Sequence, residues 1–288
     1  MFDLNVQIIT DSASDLSRSE ADKHGIDFVP LTVTIGDNDF QDGITLEPVE
    51  LFQGMREGKS YRTSQPSVGA FEAAFRKYAE TGTPCVYIAF SSELSGTYQS
   101  GLLAREQLLE EFPDLKLEVI DSKCASAGLG LVALHAAELA KNGASFAEIV
   151  EASKDRALHM EHIFTVDKLD YLVRGGRVSP VAAFIGGILN IKPILHVDSG
   201  KLIPIEKVRG RKKVLARIIE ILEERGSALA DQTIGISHGD DIEDAKLLQS
   251  MIAEKFGCSK FFITMIGASI GAHAGPGTLS VFFLNKTY

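Results

Sequence analysis

The string SSELSGTYQ, residues 91–99, has the residue types that point most directly to ligand binding. It follows an apolar strand candidate, CVYIAF, and leads into a helix candidate at 96–112. Ser95 is placed to cap that helix, and the free N–H groups behind a helix cap bind anions. Gly96 would let a ligand approach the backbone closely. We therefore expect a carboxylate or a phosphate to bind at Ser95 and Gly96.

Two further stretches contain more polar side chains than the packing of a protein core would need. They carry Thr63, Ser64 and His273. Thr63 and Ser64 belong to TSQPS, in which the proline disfavours helical geometry for the preceding glutamine. His273 lies in IGAHAGPG, where its small neighbours cannot cover an imidazole. We expect these side chains to face a ligand. The alternative for Thr63 and Ser64 is a cap for the next helix.

Arg174 and Arg177 flank two glycines in the string RGGRVS, after a short helix candidate. We expect both side chains to reach solvent rather than the core. Guanidinium groups in such a turn can bind an anion or the acidic face of a partner protein. The alternative is a solvated surface turn without a function.

GASIG at 267–271 matches the G-x-S-x-G pattern of a nucleophilic serine, which needs a strand before it and a helix after it. The following residues, AHAGPG, are poor helix formers, so we expect a glycine-rich loop between two buried strands, FFITMIGA and TLSVFFL. A hydrolase or acyltransferase that uses Ser95 or Ser269 with His273 remains the alternative function. A covalent acyl-serine would be its signature.

Nucleotide and metal motifs do not occur in the sequence context that they need. GLGLVA at 128–133 resembles a dinucleotide fingerprint but lies inside a predicted helix, and GMREGKS at 54–60 ends a helix. The three cysteines are far apart and form no C-x-x-C pair. We therefore expect neither a cofactor nor a metal.

Short apolar strands alternate with helices over the first half of the chain, as in VQIIT, CVYIAF and LKLEVI. Such strands predict a parallel sheet covered by helices on both faces. FVPLTVTI at 28–35 predicts one further strand, and the acidic residues after it predict a loop. Ligands of parallel sheets bind beyond the carboxyl ends of the strands.

The second half mixes hairpins with helices, for example the two alternating strands around DSG at 198–200. VSPVAAFIGGILN, residues 178–190, predicts an apolar helix. The sequence thus predicts an α/β domain with a parallel sheet at 1–160 and an α+β domain with a mixed or antiparallel sheet at 161–288. We expect the ligand to lie between or beside them.

The composition is that of a globular chain, with 288 residues, 45% hydrophobic residues and a formal net charge of −10. A negative field repels phosphate backbones, so we expect no nucleic-acid partner. The uncharged stretch at 261–285 contains too many glycines and polar residues for a membrane span. The N-terminus has no signal-peptide pattern and cysteines are few, so we expect a cytoplasmic location.

In several motifs that occur in the same order, the sequence resembles the DegV family, whose fatty-acid-binding members are called FakB. The motifs are ITDSASDLS, TSQPS, SSELSGTYQS, VIDSKCASAGLG, RGGRVS, ILNIKPIL and GAHAGPGT. The resemblance implies a carrier, not an enzyme. It would hold one long-chain fatty acid in a buried tunnel and present the carboxylate to a separate fatty acid kinase, which forms an acyl phosphate for phospholipid synthesis.

The resemblance also implies a role for single residues. The carboxylate would be held by Thr63, Ser64, Ser95 and Gly96, with His273 nearby. Arg174, Arg177 and Arg209 would face the kinase or the head group of the ligand.

Overall fold

The computed structural model describes residues 6–179 and 191–287. In chain order the first elements are β1 Gln7–Asp11, α1 Arg18–His24, β2 Ile26–Val29, β3 Thr32–Ile35, β4 Asn38–Gln41, α2 Pro48–Arg56, β5 Arg62–Ser64, α3 Val68–Thr81, β6 Cys85–Ala89, α4 Thr97–Glu111, β7 Leu117–Asp121, α5 Ser126–Lys141 and α6 Phe146–Leu158. The others are β8 Met160–Thr165, α7 Asp170–Arg174, β9 Ile191–Asp198, β10 Lys201–Arg209, α8 Arg211–Arg225, β11 Thr233–His238, α9 Ile242–Phe256, β12 Lys260–Met265, α10 Ala268–Ala274 and β13 Leu279–Leu284.

The first sheet is wholly parallel and has the strand order β2-β1-β6-β7. All five residues of β6 are buried, because helices cover both faces of the sheet. On one face the apolar helix α5 packs on β1, and on the other Phe71, Phe75 and Tyr87 form an aromatic cluster. The predicted α/β fold with a parallel sheet is confirmed.

A small three-stranded sheet, β4-β3-β5, is not expected from the sequence. The predicted single strand at 28–35 is two strands in different sheets, since Pro30 has no N–H to continue a ladder. The N–H of Leu31 donates to Ser12 Oγ at 2.9 Å. The acidic stretch predicted as a loop contains β4, which pairs with β3 around Gly36 at φ +60°. This small sheet brings β5, with Thr63, close to α10.

The second sheet is mixed and has the order β10-β9-β8-β13-β11-β12, with only β11 and β12 parallel. One face packs on α8 and α9 through a core of aliphatic side chains such as Ile218, Leu222 and Leu248. The other face is turned towards α5 and the N-terminal half. Of the two predicted possibilities, a mixed or an antiparallel sheet, the structure shows the mixed one. The domain boundary at residue 160 stays a prediction, and most of the apolar helix predicted at 178–190 lies outside the described residues.

The end of the chain differs from the prediction of two strands joined by a glycine-rich loop. The glycine-rich segment contains the helix α10, and β12 and β13 are not neighbours because β11 lies between them. The carboxyl groups of two buried aspartates stabilise this helix, which the local sequence does not favour. Asp42 accepts hydrogen bonds from the N–H groups of Ala268 (2.8 Å) and Ser269 (3.0 Å), and Asp15 accepts one from Gly267 (2.8 Å).

Asp15 and Asp42 are buried in the protein interior. Burial raises the pKa of Asp15 to about 8 and also raises the pKa of Asp42, although hydrogen bonds from Ser126 and from α10 act in the opposite direction. Asp15 has φ +54°, a conformation that aspartate and asparagine tolerate better than most residues. The two residues therefore fix α10 to the N-terminal half.

The buried Asp15 carboxyl predicts a pH dependence of stability. Its pKa in the folded protein lies above the unfolded value, so between about pH 4 and pH 8 the folded state holds a proton that the unfolded state has lost. The contribution of Asp15 to the free energy of unfolding should therefore fall as pH rises through this window, by at most about 1.4 kcal/mol per pH unit. Urea unfolding of Asp15→Asn should show a flatter profile. Asp22→Asn, an exposed control, should keep the wild-type slope; equal slopes in all three proteins would contradict the assignment.

Candidate functional site

A cavity of about 260 Å³ lies between the N-terminal half and the second sheet. The second sheet contributes one continuous surface of side chains, which consists of His162, Phe164, Val197, Leu202, Ser280 and Phe282. The opposite wall contains Leu31, Phe90, Leu94 and Ala125, and α10 contributes Ile270 and His273. Most of these groups are apolar, so the cavity favours an apolar molecule.

Thr63, Ser64, Ser95, Gly96 and His273 all line this cavity, so the structure brings the predicted carboxylate-binding residues together. They come from three separate elements, β5, the start of α4, and α10. Polar side chains gathered at one part of an otherwise apolar cavity can orient a ligand that has a polar head and an apolar tail.

His273 is hydrogen bonded to Thr63, with 2.7 Å between Nε2 and Thr63 Oγ1. Burial, with a smaller effect of Arg177, lowers the pKa of His273 to about 4. The imidazole is therefore neutral at neutral pH. A Cβ atom on Gly175 would lie 2.1 Å from Nδ1, so this glycine leaves the room that the ring needs.

Arg177 is half-buried and lines the cavity, so its side chain is less exposed than we expect from the sequence. Its Nε donates to the carbonyl oxygen of Leu94 at 3.1 Å, and Nη1 donates to that of Gly175. Within residues 6–179 and 191–287, no carboxylate forms an ion pair with it. Burial lowers the pKa of this guanidinium from its ordinary value, but arginine stays charged at neutral pH. Among the described residues, the guanidinium of Arg177 therefore has no acidic partner, and it lies at the part of the cavity lined by Thr63, Ser95 and His273, here called the polar end.

Ser95 and Gly96 differ in detail from the prediction. The helix α4 begins at Thr97 with Gly96 as its cap, one residue later than expected. Ser95 Oγ accepts from the N–H of Thr97 (3.3 Å) and shares a hydrogen bond with Thr97 Oγ1 (2.8 Å). A Cβ atom on Gly96 would lie 2.4 Å from Gln65 Oε1, so the glycine makes room for Gln65 rather than only for a ligand.

The other two predicted arginines lie outside the cavity. Arg174 is exposed, with its guanidinium carbon 4.8 Å from the centre of the Tyr171 ring. It lines a second cavity beside the first. Arg209 is exposed at the end of β10 and lines neither of these cavities. The structure therefore separates the three arginines that the sequence grouped.

The structure does not form a serine–histidine pair from the predicted alternatives. The expectation that no helix follows Ser269 is wrong, because Ser269 lies in α10, one turn before His273. However, His273 Nε2 is hydrogen bonded to Thr63 Oγ1, and the backbone N–H of Ser269 donates a hydrogen bond to Asp42. The Ser95 hydroxyl is hydrogen bonded to the Thr97 hydroxyl. Neither serine is hydrogen bonded to the imidazole that would have to act as its base.

The tip of the β9–β10 hairpin also shapes the site, a role that the sequence pattern does not indicate. Ser91 Oγ donates to the carbonyl oxygen of Gly200 at 2.9 Å, and Glu93 forms ion pairs with Lys123 (3.4 Å) and Lys201 (3.5 Å). This contact gives Ser91 a structural role at the edge of the site. It joins the loop that carries Leu94 to the hairpin that carries Leu202, two residues of opposite cavity walls.

Metal ligands are not grouped in the described ranges: no three His, Cys, Asp or Glu side chains there are arranged to hold a metal ion. The helices among those residues are also too short or too polar to span a bilayer.

These features define a class of protein, an α/β fold that encloses a largely apolar cavity with a cationic and hydroxyl-rich end. The chain belongs to the DegV family: the family model described as "Uncharacterised protein, DegV family" matches residues 5–286. A DegV domain-containing protein of Clostridium perfringens is 43% identical over 283 residues, which is 97% of each chain.

Two solved structures are similar over nearly the whole chain. A fatty-acid-binding DegV family protein of Thermus thermophilus has 31% identity and a TM-score of 0.85, with 96% of this chain and 98% of that chain covered. The B3 protein of the Streptococcus pneumoniae fatty acid kinase, loaded with linoleic acid, has 26% identity and a TM-score of 0.87, with 98% and 99% covered.

The contact between Gly200 and Ser91 predicts a specific cost of substitution. Gly200 has φ +86°, and a Cβ atom there would lie 2.5 Å from Ser91 Oγ. Gly143 has φ +84°, and a Cβ atom there would have no neighbour within 4 Å, so Gly143→Ala is a matched control for backbone strain alone. We expect about 1–2 kcal/mol of destabilisation for Gly143→Ala. Gly200→Ala should cost about 1–3 kcal/mol more in urea unfolding because of overpacking. Equal costs would contradict a tight contact at the hairpin tip.

Proposed function

We propose that this protein binds one long-chain fatty acid non-covalently, with the carboxylate at Thr63, Ser95, His273 and Arg177. The observation that carries this proposal is the half-buried Arg177, which has no carboxylate partner in the described residues and lies at the polar end of an apolar cavity. The named ligands of the two similar structures, a fatty acid and linoleic acid, support it.

The energetics favour retention of such a ligand. Burial of about fifteen methylene groups at roughly 0.8 kcal/mol each contributes about 12 kcal/mol. A buried carboxylate is tolerated only when it is hydrogen bonded and preferably paired with a charge. Hydroxyls at Thr63, Ser64 and Ser95 can donate, and Arg177 supplies the charge. When the neutral His273 imidazole carries its proton on Nε2, that N–H donates to Thr63 Oγ1 and leaves the Thr63 hydroxyl free to donate to the carboxylate.

We propose further that the protein is a carrier subunit for a separate kinase and is not itself an enzyme. In this reaction a carboxylate oxygen of the bound acid attacks the γ-phosphorus of ATP held by the kinase. The bond from that phosphorus to ADP breaks, ADP leaves, and an acyl phosphate forms. The kinase membership of the Streptococcus pneumoniae protein supports this role. The lack of a nucleotide motif in this chain and the unformed serine–histidine pair are consistent with it.

The bound acid can be tested directly by native mass spectrometry and by organic extraction of the purified protein. We expect one fatty acid per chain and no covalent adduct. Thr63→Val and Ser95→Ala each remove a hydrogen bond to a charged group, about 1.5–3 kcal/mol, so fatty acid affinity should fall about 10- to 100-fold without unfolding. Ser250→Ala, at a hydroxyl on α9, should leave affinity unchanged. An acyl-serine adduct would support the hydrolase or acyltransferase alternative instead.

Arg177 and Arg174 should differ in fatty acid binding because only Arg177 lines the first cavity. Arg177→Gln should release the acid, since it removes the charge at the carboxylate, and the loss should be at least about 10-fold in affinity. Arg174→Gln should change fatty acid affinity much less. Displacement of a fluorescent fatty acid measures both. Equal losses in the two variants would mean that the arginines act through general charge and that Arg177 has no direct contact with the carboxylate.

A further inference from the structure

The first cavity contains a second group of hydroxyls, separate from the polar end. Ser126 at the start of α5, Ser269 on α10 and Ser280 on β13 all line this cavity, and none of the three lines the second cavity. Their exposed fractions are 6%, 3% and 6%, so each is more than nine-tenths buried. Ser269 lies four residues before His273, on the same side of α10 and one helical turn away from the polar end. We call these three residues the serine patch.

Within the described residues, the Ser280 hydroxyl has no hydrogen-bond partner. Ser280 lies opposite Ser237 in the antiparallel pair of β13 and β11, so the two side chains share one face of the sheet. Ser237 Oγ shares a hydrogen bond of 2.9 Å with Ser126 Oγ, and Ser126 Oγ also donates to Asp15. Ser280 is therefore the open position beside a network that is otherwise bonded.

The Ser269 hydroxyl is also open. It lies close to the Asp42 carboxyl, but it meets no described atom at hydrogen-bonding geometry. By contrast, the buried hydroxyl of Thr278 in the same cavity donates to the carbonyl oxygen of Ala274 at 3.0 Å. Buried polar groups in proteins are nearly always hydrogen bonded. Two open hydroxyls in one cavity therefore indicate a partner that enters with the ligand.

The chemistry of the ligand decides whether the Ser280 hydroxyl becomes paired. Contact with methylene groups alone would remove water from this hydroxyl without replacing its hydrogen bonds, which is unfavourable. A hydroxyl on the hydrocarbon chain both donates and accepts, so it can pair with Ser280 whichever way the serine hydroxyl is turned. A chain with such a group therefore suits the cavity better than a plain chain of the same length.

We propose that the first cavity is adapted to a long-chain acid that carries a hydroxyl group along its hydrocarbon chain, with this hydroxyl hydrogen bonded to Ser280. The inference rests on the proposed function and adds to it the class of fatty acid. The carboxylate at the polar end would fix the position of every carbon atom of the chain. Only a hydroxyl at a particular distance from the carboxylate would therefore reach the serine patch.

The test measures the affinity of delipidated protein for hexadecanoate and for hexadecanoates with one hydroxyl at successive carbon atoms. Displacement of a fluorescent fatty acid, below micelle-forming concentrations, reports each affinity. In the wild type, one isomer or two adjacent isomers should bind at least about 5-fold more tightly than hexadecanoate. The remaining isomers should bind more weakly than hexadecanoate, because their hydroxyl would lie among apolar side chains.

Ser280→Ala should reduce the preference for the favoured isomer to less than about twofold, while the affinity for hexadecanoate stays equal or rises. The control is Ile270→Val, which trims a side chain of the same cavity without removing a hydroxyl. It should change both affinities together and keep their ratio within about twofold of the wild-type ratio. Retained binding of hexadecanoate by Ser280→Ala also shows that this variant is folded.

The other outcomes overturn the inference in distinguishable ways. If the wild type binds hexadecanoate and prefers no hydroxylated isomer, the serine patch serves only water and the proposed function stands without this addition. If all isomers gain equally, or if the preference survives in Ser280→Ala, the gain does not come from a contact at Ser280. If the wild type binds neither hexadecanoate nor any hydroxylated isomer, the proposed function fails as well.

Discussion

The site depends on the buried carboxyl groups of Asp15 and Asp42. They accept hydrogen bonds from three consecutive N–H groups at the start of α10, a helix whose glycine-rich sequence would not be stable alone. Burial raises the pKa of both groups, so the interaction is held at a cost in solvation. These hydrogen bonds fix the position of His273, which lies on α10 and is hydrogen bonded to Thr63 on β5. Residues more than 200 positions apart in the sequence are thereby fixed at hydrogen-bonding distance.

The polar end of the cavity combines a neutral imidazole with a charged guanidinium. Burial and, to a smaller extent, Arg177 lower the pKa of His273, so at neutral pH this pair presents one positive charge rather than two to the first cavity. A single monovalent acid can therefore be neutralised without excess charge in an apolar surrounding. Thr63, Arg177 and His273 also line the second cavity, which is richer in cationic side chains. The second cavity is thus lined by more positive charges than the apolar first cavity.

Much of the fold could be predicted because its elements are local in character. The apolar strands β1, β6 and β7 and the helices between them follow from hydrophobic pattern and capping residues. The small sheet could not be found in this way, since β4 is polar and forms only by pairing with β3. The helix α10 could not be found either, because the groups that stabilise its first turn are Asp15 and Asp42, far away in the sequence. Helix propensity therefore gives the wrong prediction where hydrogen bonds from distant residues stabilise a helix that its own sequence does not favour.

The sequence by itself determined which side chains have the chemistry to bind a carboxylate, and the structure gathers Thr63, Ser95 and His273 at one cavity. It did not determine which arginine lines the first cavity. Arg174 and Arg177 are three residues apart in a short turn, yet one is exposed over Tyr171 and the other is half-buried beside His273. Nor did it show that Ser91 holds the hairpin at Gly200. Residue type is a property of the sequence, whereas burial and the choice of hydrogen-bond partner depend on which distant segments pack together, and only the tertiary structure decides that.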